Sequence, residues 1–102
     1  MLCEAGAEKD KARQDGVTPL YIASQEGHLE VARLLCEAGA EKDKARQDGV
    51  TPLYIASHNG HREVARLLCE AGADKDKARQ TGATPLYIAS HNGHREVARL
   101  LC

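Results

Sequence analysis

The chain has no tryptophan, no phenylalanine and three tyrosines. Protein interfaces draw much of their binding energy from large aromatic anchors, so a partner surface here has to be polar, with tyrosine as its only aromatic help. An excess of one charge is also missing, because 14 Lys and Arg face 15 Asp and Glu for a net charge of -1 at pH 7. Binding to nucleic acid relies on cations that displace condensed counterions, and no net excess of them is available. Long apolar runs are absent as well. PLYIA at 19–23 is far short of the roughly 20 residues a membrane span needs. The start, MLCEAGAEKD, is acidic where a signal peptide is basic and then apolar. The expectation is a soluble, intracellular, cytoplasmic protein with no nucleic-acid or membrane partner.

What the chain does have is recurrence. TPLYIAS stands at 18–24, 51–57 and 84–90, at a spacing of 33 residues. Units 4–36, 37–69 and 70–102 align without a gap and agree at 27 of 33 positions, and Met1 to Cys3 read as the remnant of a preceding unit. A period that accounts for the whole chain predicts one domain, 1–102, built as a stacked solenoid.

Each unit can be read in turn. EAGA is the tail of a helix, and Gly6, Gly39 and Gly72 fall where a helix end takes the left-handed conformation. KDKARQ follows and reads as a solvated edge of alternating charge. Asp15-Gly16 and Asp48-Gly49 then predict a tight turn, which Thr81-Gly82 should hold less firmly for want of the Asp side chain. Thr18 with Pro19 opens a short helix to about Gln25, with Thr as N-cap and Pro at the first helical position. Leu20, Ala23 and Ser24 give it a face of mostly small residues. Gly27 ends it, and a second helix from His28 or Leu29 puts Val31, Leu34, Leu35 and Ala38 on one face and Glu30, Arg33 and Glu37 on the other.

Cys3, Cys36, Cys69 and Cys102 share one position of the unit. Stacked helices lie about 8–10 Å apart, too far for a disulfide's reach of roughly 7 Å between Cα atoms. The cysteines are therefore expected as partly buried, reduced thiols, with Cys3 and Cys102 at the ends able to cross-link molecules.

A 33-residue unit with G-x-TPL, G-H-x-E-V-A-x-LL and AGA resembles the ankyrin repeat, over essentially the whole chain. The resemblance implies an all-α solenoid of helix-turn-helix units with projecting β-hairpins. It also implies a concave surface of hairpin tips and inner helices that binds other proteins, without enzymatic activity or a cofactor. Two departures matter. The family's His after Thr-Pro-Leu, which tethers the helix start, is replaced by Tyr21, Tyr54 and Tyr87, which puts that tether in question. The usual apolar residue after AGA is replaced by Lys9, Lys42 or Lys75, whose stems have to lie on the stack while the ammonium stays wet. Slightly looser hairpin packing is expected.

Six positions of the unit vary. Gln25, Glu26 and Leu29 become His58, Asn59 and Arg62, and Glu41, Asp48 and Val50 become Asp74, Thr81 and Ala83. In the family's architecture four of them face the concave groove. Together with Gln14, Gln47 and Gln80 they define a candidate protein-binding set: Gln14, Asp15, Val17, Gln25, Glu26, Gln47, Asp48, Val50, His58, Asn59, Gln80, Thr81, Ala83, His91 and Asn92. The alternative is drift at exposed tips that the fold does not constrain.

Other chemistry is set aside. His58 with His61, and His91 with His94, are separated by a glycine and do not share a helix face, so no metal site is expected; His28, His61 and His94 are read as starting the second helix. Ser24, Ser57 and Ser90 recur in triplicate, whereas a catalytic site needs one particular pocket. The outer faces of the end units carry no polar capping repeat. That offers a second reading, a structural array that self-associates head to tail.

Overall fold

The structure, a computed structural model, describes residues 9–102. Six helices follow in order: α1 Pro19–Glu26, α2 Leu29–Glu37, α3 Pro52–His58, α4 Arg62–Glu70, α5 Pro85–His91 and α6 Arg95–Leu101. No strand is formed among the described residues. Helices α1, α3 and α5 make one row and α2, α4 and α6 another, and each helix packs on its partner within the repeat and on its counterpart in the next. The expected all-α solenoid is the fold.

Local chemistry sets the helix starts. Thr18, Thr51 and Thr84 are extended, and their hydroxyl oxygens accept from the backbone N–H of Tyr21, Tyr54 and Tyr87 at 3.1 Å. Such a cap contributes about 1 kcal/mol. Proline follows in the first turn of each. Gly39 and Gly72 have the expected positive φ, while Gly6 and Cys3 lie outside the described residues.

The core has two parts. Between the helix rows lie Leu20, Ala23, Ala32, Leu35, Leu53, Ala56, Ala65 and Leu68; the alanines let the helices approach closely. Beneath the hairpins a second cluster joins Val17, Tyr21, Val50 and Tyr54, with Ile55, Ala83 and Ile88 against it. One expectation changes here, at Leu34. The second helix buries Ala32 and Leu35, while Leu34 is 41% exposed where its counterparts Leu67 and Leu100 are half-buried against the core. Ser24 and Ser57 are buried, and their hydroxyls donate to Leu20 and Leu53 carbonyls one turn back at 2.7 Å, so both are structural.

The hairpins are closed by backbone bonds. Arg13 N–H donates to Val17 and Gly16 N–H to Arg13, each at 2.9 Å, and the pattern repeats at 46–50 and 79–83. The third turn closes at the same lengths as the others, so replacing Asp by Thr81 does not widen it. Cys36 and Cys69 are half-buried free thiols whose pKa burial pushes up, and Cys102 is an exposed thiol.

Candidate interaction surface

Three rungs of hydrogen bonds cross each junction between repeats, and they decide which side chains remain for a partner. The first rung joins the hairpin tips. Gln47 N–H donates to the Asp15 carbonyl at 2.8 Å and Gln80 N–H to that of Asp48 at 3.0 Å. The side chains of the same residues donate too, Gln47 Nε2 to the Gln14 carbonyl at 3.1 Å and Gln80 Nε2 to that of Gln47 at 2.9 Å. The invariant glutamines thus form a ladder along the tips while staying exposed.

The second rung lies behind the tips. The carboxylates of Asp10 and Asp43 accept from the backbone N–H of Glu41 and Asp74, both at 2.9 Å. Lys44 and Lys77 donate to the carbonyls of Asp10 and Asp43 at 3.4 and 3.1 Å. KDKARQ is therefore an adhesive segment between repeats, which corrects its reading as a merely solvated edge. Lys42 is half-buried and returns its ammonium to the Ala40 carbonyl at 3.3 Å, whereas Lys75 is exposed.

The third rung joins the ends of the first helices. His61 Nε2 donates to the Gln25 carbonyl and His94 Nε2 to that of His58, both at 3.0 Å. Since a carbonyl oxygen only accepts, Nε2 carries the proton in each ring. The rings lie flat against glycine: a Cβ at Gly27 would meet the His61 ring at 2.8 Å, and one at Gly60 would meet the His94 ring at 2.7 Å. Gly27 and Gly60 also have φ +75, so they are required twice over. These histidines occupy the N-cap positions of α4 and α6 but make no capping bond. Their side chains act between repeats, while their carbonyls accept the first helical bonds, from Ala65 and Ala98 N–H at 2.9 and 3.0 Å. Asn59 and Asn92 add Nδ2 donors to the same carbonyls at 3.0 and 3.1 Å.

Beneath the tips the charges are paired. Arg13 Nε and Nη2 reach Asp15 at 3.3 and 2.7 Å, and Arg46 grips Asp48 in the same two-point manner. The Asp15 and Asp48 carboxylates also accept from Val17 and Val50 N–H at 3.2 Å. The arginine bond, helped by that backbone donor, holds the Asp15 carboxyl down at about 2 and lowers that of Asp48. Arg46 and Arg79 lie over the rings of Tyr21 and Tyr54 at 5.5 and 5.6 Å. Tyrosine thus replaces the family's histidine as a buried packing residue, clamped by the arginine of the next repeat. Arg79 has Thr81 where its counterparts have Asp; its Nε is buried without a partner, and its Nη2 reaches back to Asp48 at 3.4 Å.

The family model for ankyrin repeats, in three copies, matches residues 1–79 and 39–102. The chain belongs to the ankyrin-repeat family. A comparison with curated proteins finds no match.

Within this ankyrin stack the fifteen sequence-derived positions separate. Gln14, Gln47, Gln80 and Thr81 are exposed at the tips, and Glu26, His58, Asn59, His91 and Asn92 at the helix ends; Asp15, Gln25, Asp48 and Ala83 are half-buried. Val17 and Val50 are buried in the cluster beneath the hairpins and cannot meet a partner, so their reading as surface residues is corrected. Sequence reasoning passed over Tyr87, which is exposed and stacks on His91 with ring centres 6.1 Å apart. Its exposure sets it apart from Tyr21 and Tyr54, which Arg46 and Arg79 cover. No helix among the described residues is long and apolar enough to cross a membrane, and no group of three or more His, Cys, Asp or Glu side chains among them converges as a metal site would require.

Proposed function

We propose that residues 1–102 act as one ankyrin domain, a non-enzymatic scaffold that binds a protein partner along its hairpin tips and the ends of its inner helices. Ankyrin repeats are generally protein-protein interaction modules. The observation that carries the proposal is the three-rung stitching of each junction. It makes Gln14, Gln47, Gln80, Thr81, His58 and His91 one pre-organised row, and a surface that loses little freedom on binding keeps more of its contact energy. With Tyr87 as the one exposed aromatic residue, the matching partner is a polar surface with hydrogen-bonding groups, of antibody-like and not core-like character. His58 and His91, which vary from Gln25, supply its particular chemistry.

A photo-crosslinking side chain placed at Thr81 tests this against the same probe at Arg66, an exposed position on α4. Capture through 81 and not 66, lost in a His58→Asp/His91→Asp variant of unchanged melting temperature, is the expected result. Equal capture at both positions sinks the proposal.

A further inference from the structure

We infer that Thr81 is a phosphorylation site, and that Arg79 receives the phosphate in the place where the two preceding hairpins hold a carboxylate. This goes beyond the partner-binding row and stands without it.

The chain shows twice what this position is built to hold. Asp15 and Asp48 each take the arginine two residues earlier at two points, and the backbone N–H two residues later, that of Val17 or Val50, at 3.2 Å. In the third hairpin the donors are kept and the acceptor is gone. Arg79 Nε is buried without a partner, and the Ala83 N–H has no acceptor among the described residues. Arg79 Nη2 finds only Asp48, at 3.4 Å and in the preceding repeat. Three donors thus border a position that carries no anion.

What stands there is a residue able to acquire one. Thr81 is exposed, and its hydroxyl makes no hydrogen bond among the described residues. Thr18 and Thr51 are buried, and the Thr84 oxygen is engaged as the cap of α5. The position stays open even where another hairpin adjoins it: Asp15 and Asp48, each bonded through its carbonyl to the tip of the next repeat, keep 40% and 30% of their side chains exposed.

The chemistry is phosphoryl transfer from a nucleoside triphosphate by a protein kinase. Thr81 Oγ1 bonds to the γ-phosphorus, the bond from that phosphorus to the β-phosphate oxygen breaks, the nucleoside diphosphate leaves, and the hydroxyl proton passes to the kinase's base. The product carries a charge of roughly −1.5 to −2 at pH 7 and three acceptor oxygens. These stand one bond farther from Cβ than those of Asp, and the open tip leaves room for them. Charge-assisted bonds of this kind are about twice as strong as neutral ones, so the modified hairpin is held more firmly than the unmodified one.

The test has two arms, both on the whole chain. A protein kinase chosen for activity on the free peptide 74–84 is given the folded protein with magnesium and the triphosphate. Peptide masses are expected to place phosphate on Thr81, and Thr81→Ala to lose it. In the second arm, protein made with phosphothreonine in place of Thr81 is compared with unmodified protein, with Arg79 intact and in Arg79→Gln. Modification should raise the melting temperature by about 2–4 °C with Arg79 and not without it. Phosphorus NMR should place the second phosphate pKa below its ordinary value of about 6 in the folded protein, and Arg79→Gln should return it there. A folded protein that stays unmodified while the peptide reacts overturns the inference. So does a phosphate whose effects on melting and titration are the same in Arg79→Gln.

Discussion

The second and third repeats carry the same arginine in their hairpins and differ in the residue two places on. Arg46 finds Asp48 and satisfies both its Nε and Nη2; Arg79 finds Thr81, keeps a buried Nε without a partner, and borrows the carboxylate of Asp48 from the repeat before. The same contrast runs through the whole unit. Tyr54 is covered by Arg79 while Tyr87 is bare, and Ser57 is buried while Ser90 is exposed. Near-identical sequence therefore does not give equal stability: most of what holds a repeat is contributed by its neighbours, and the middle repeat has two.

The largest break in that comparison is in the core. Leu53 is buried in the middle repeat and Leu86 half-buried in the third. Leu53→Ala is expected to cost about 3 kcal/mol, and Leu86→Ala about half of that. Urea denaturation of the two variants measures the gap, and equal losses would show that the middle repeat has no advantage.

Next in size is the carboxylate. Asp48→Ala removes the anchor of two arginines and the acceptor of Val50 N–H, and is expected to cost about 1 kcal/mol after allowance for solvent screening. Thr81→Ala should cost close to nothing. The reverse change, Thr81→Asp, gives Arg79 the partner its counterparts have and should stabilise by a few tenths of a kcal/mol. Melting temperatures of the three variants at pH 7 are the check.

Acid sharpens the same contrast. Asp15 and Asp48 have folded pKa values below their ordinary value, Asp15 at about 2. Their stabilising contribution is complete above the unfolded carboxylate pKa of roughly 3.9. It is lost as pH falls through the folded values. Wild type and Thr81→Asp should differ at pH 6 and converge toward pH 2. A gap that persists into acid would mean that the new side chain acts through packing and not through its charge.

The smallest effect separates two tyrosines. The Tyr21 hydroxyl is buried with no hydrogen-bond partner among the described residues, and burial raises its pKa. Tyr21→Phe should be neutral or stabilise by about a few tenths of a kcal/mol, and Tyr54→Phe should show no comparable gain. Thermal unfolding of both variants decides it.

What a single unit dictates could be read from the sequence. Thr18-Pro19 and Gly27 bound the first helix, and Asp15-Gly16 makes the turn, because capping and backbone geometry depend on neighbours in the chain. What one unit does to the next could not. The His61 ring on Gly27, the glutamine ladder and the Asp10 and Asp43 carboxylates act across 31 to 36 residues, and in a tandem sequence every such pair looks like two separate recurrences. The exposure of Leu34 has the same origin: its counterparts Leu67 and Leu100 pack against the core, so the period finds the apolar face, and a neighbouring unit decides how far that face is covered. On the candidate surface, exposure of the tip glutamines could be anticipated, whereas burial of Val17 and Val50 depends on the tyrosines packed beside them.

Each junction is held differently across its width. On the helix side it is closed by buried leucine, valine and alanine, while at the hairpin side polar bonds from backbone, amide, lysine and carboxylate groups lie over the Val17, Tyr21, Val50 and Tyr54 cluster. Exposed polar bonds exchange with water more easily than packed leucine leaves a core, so a load applied at the ends of the stack is expected to part the hairpin tips before the helix rows.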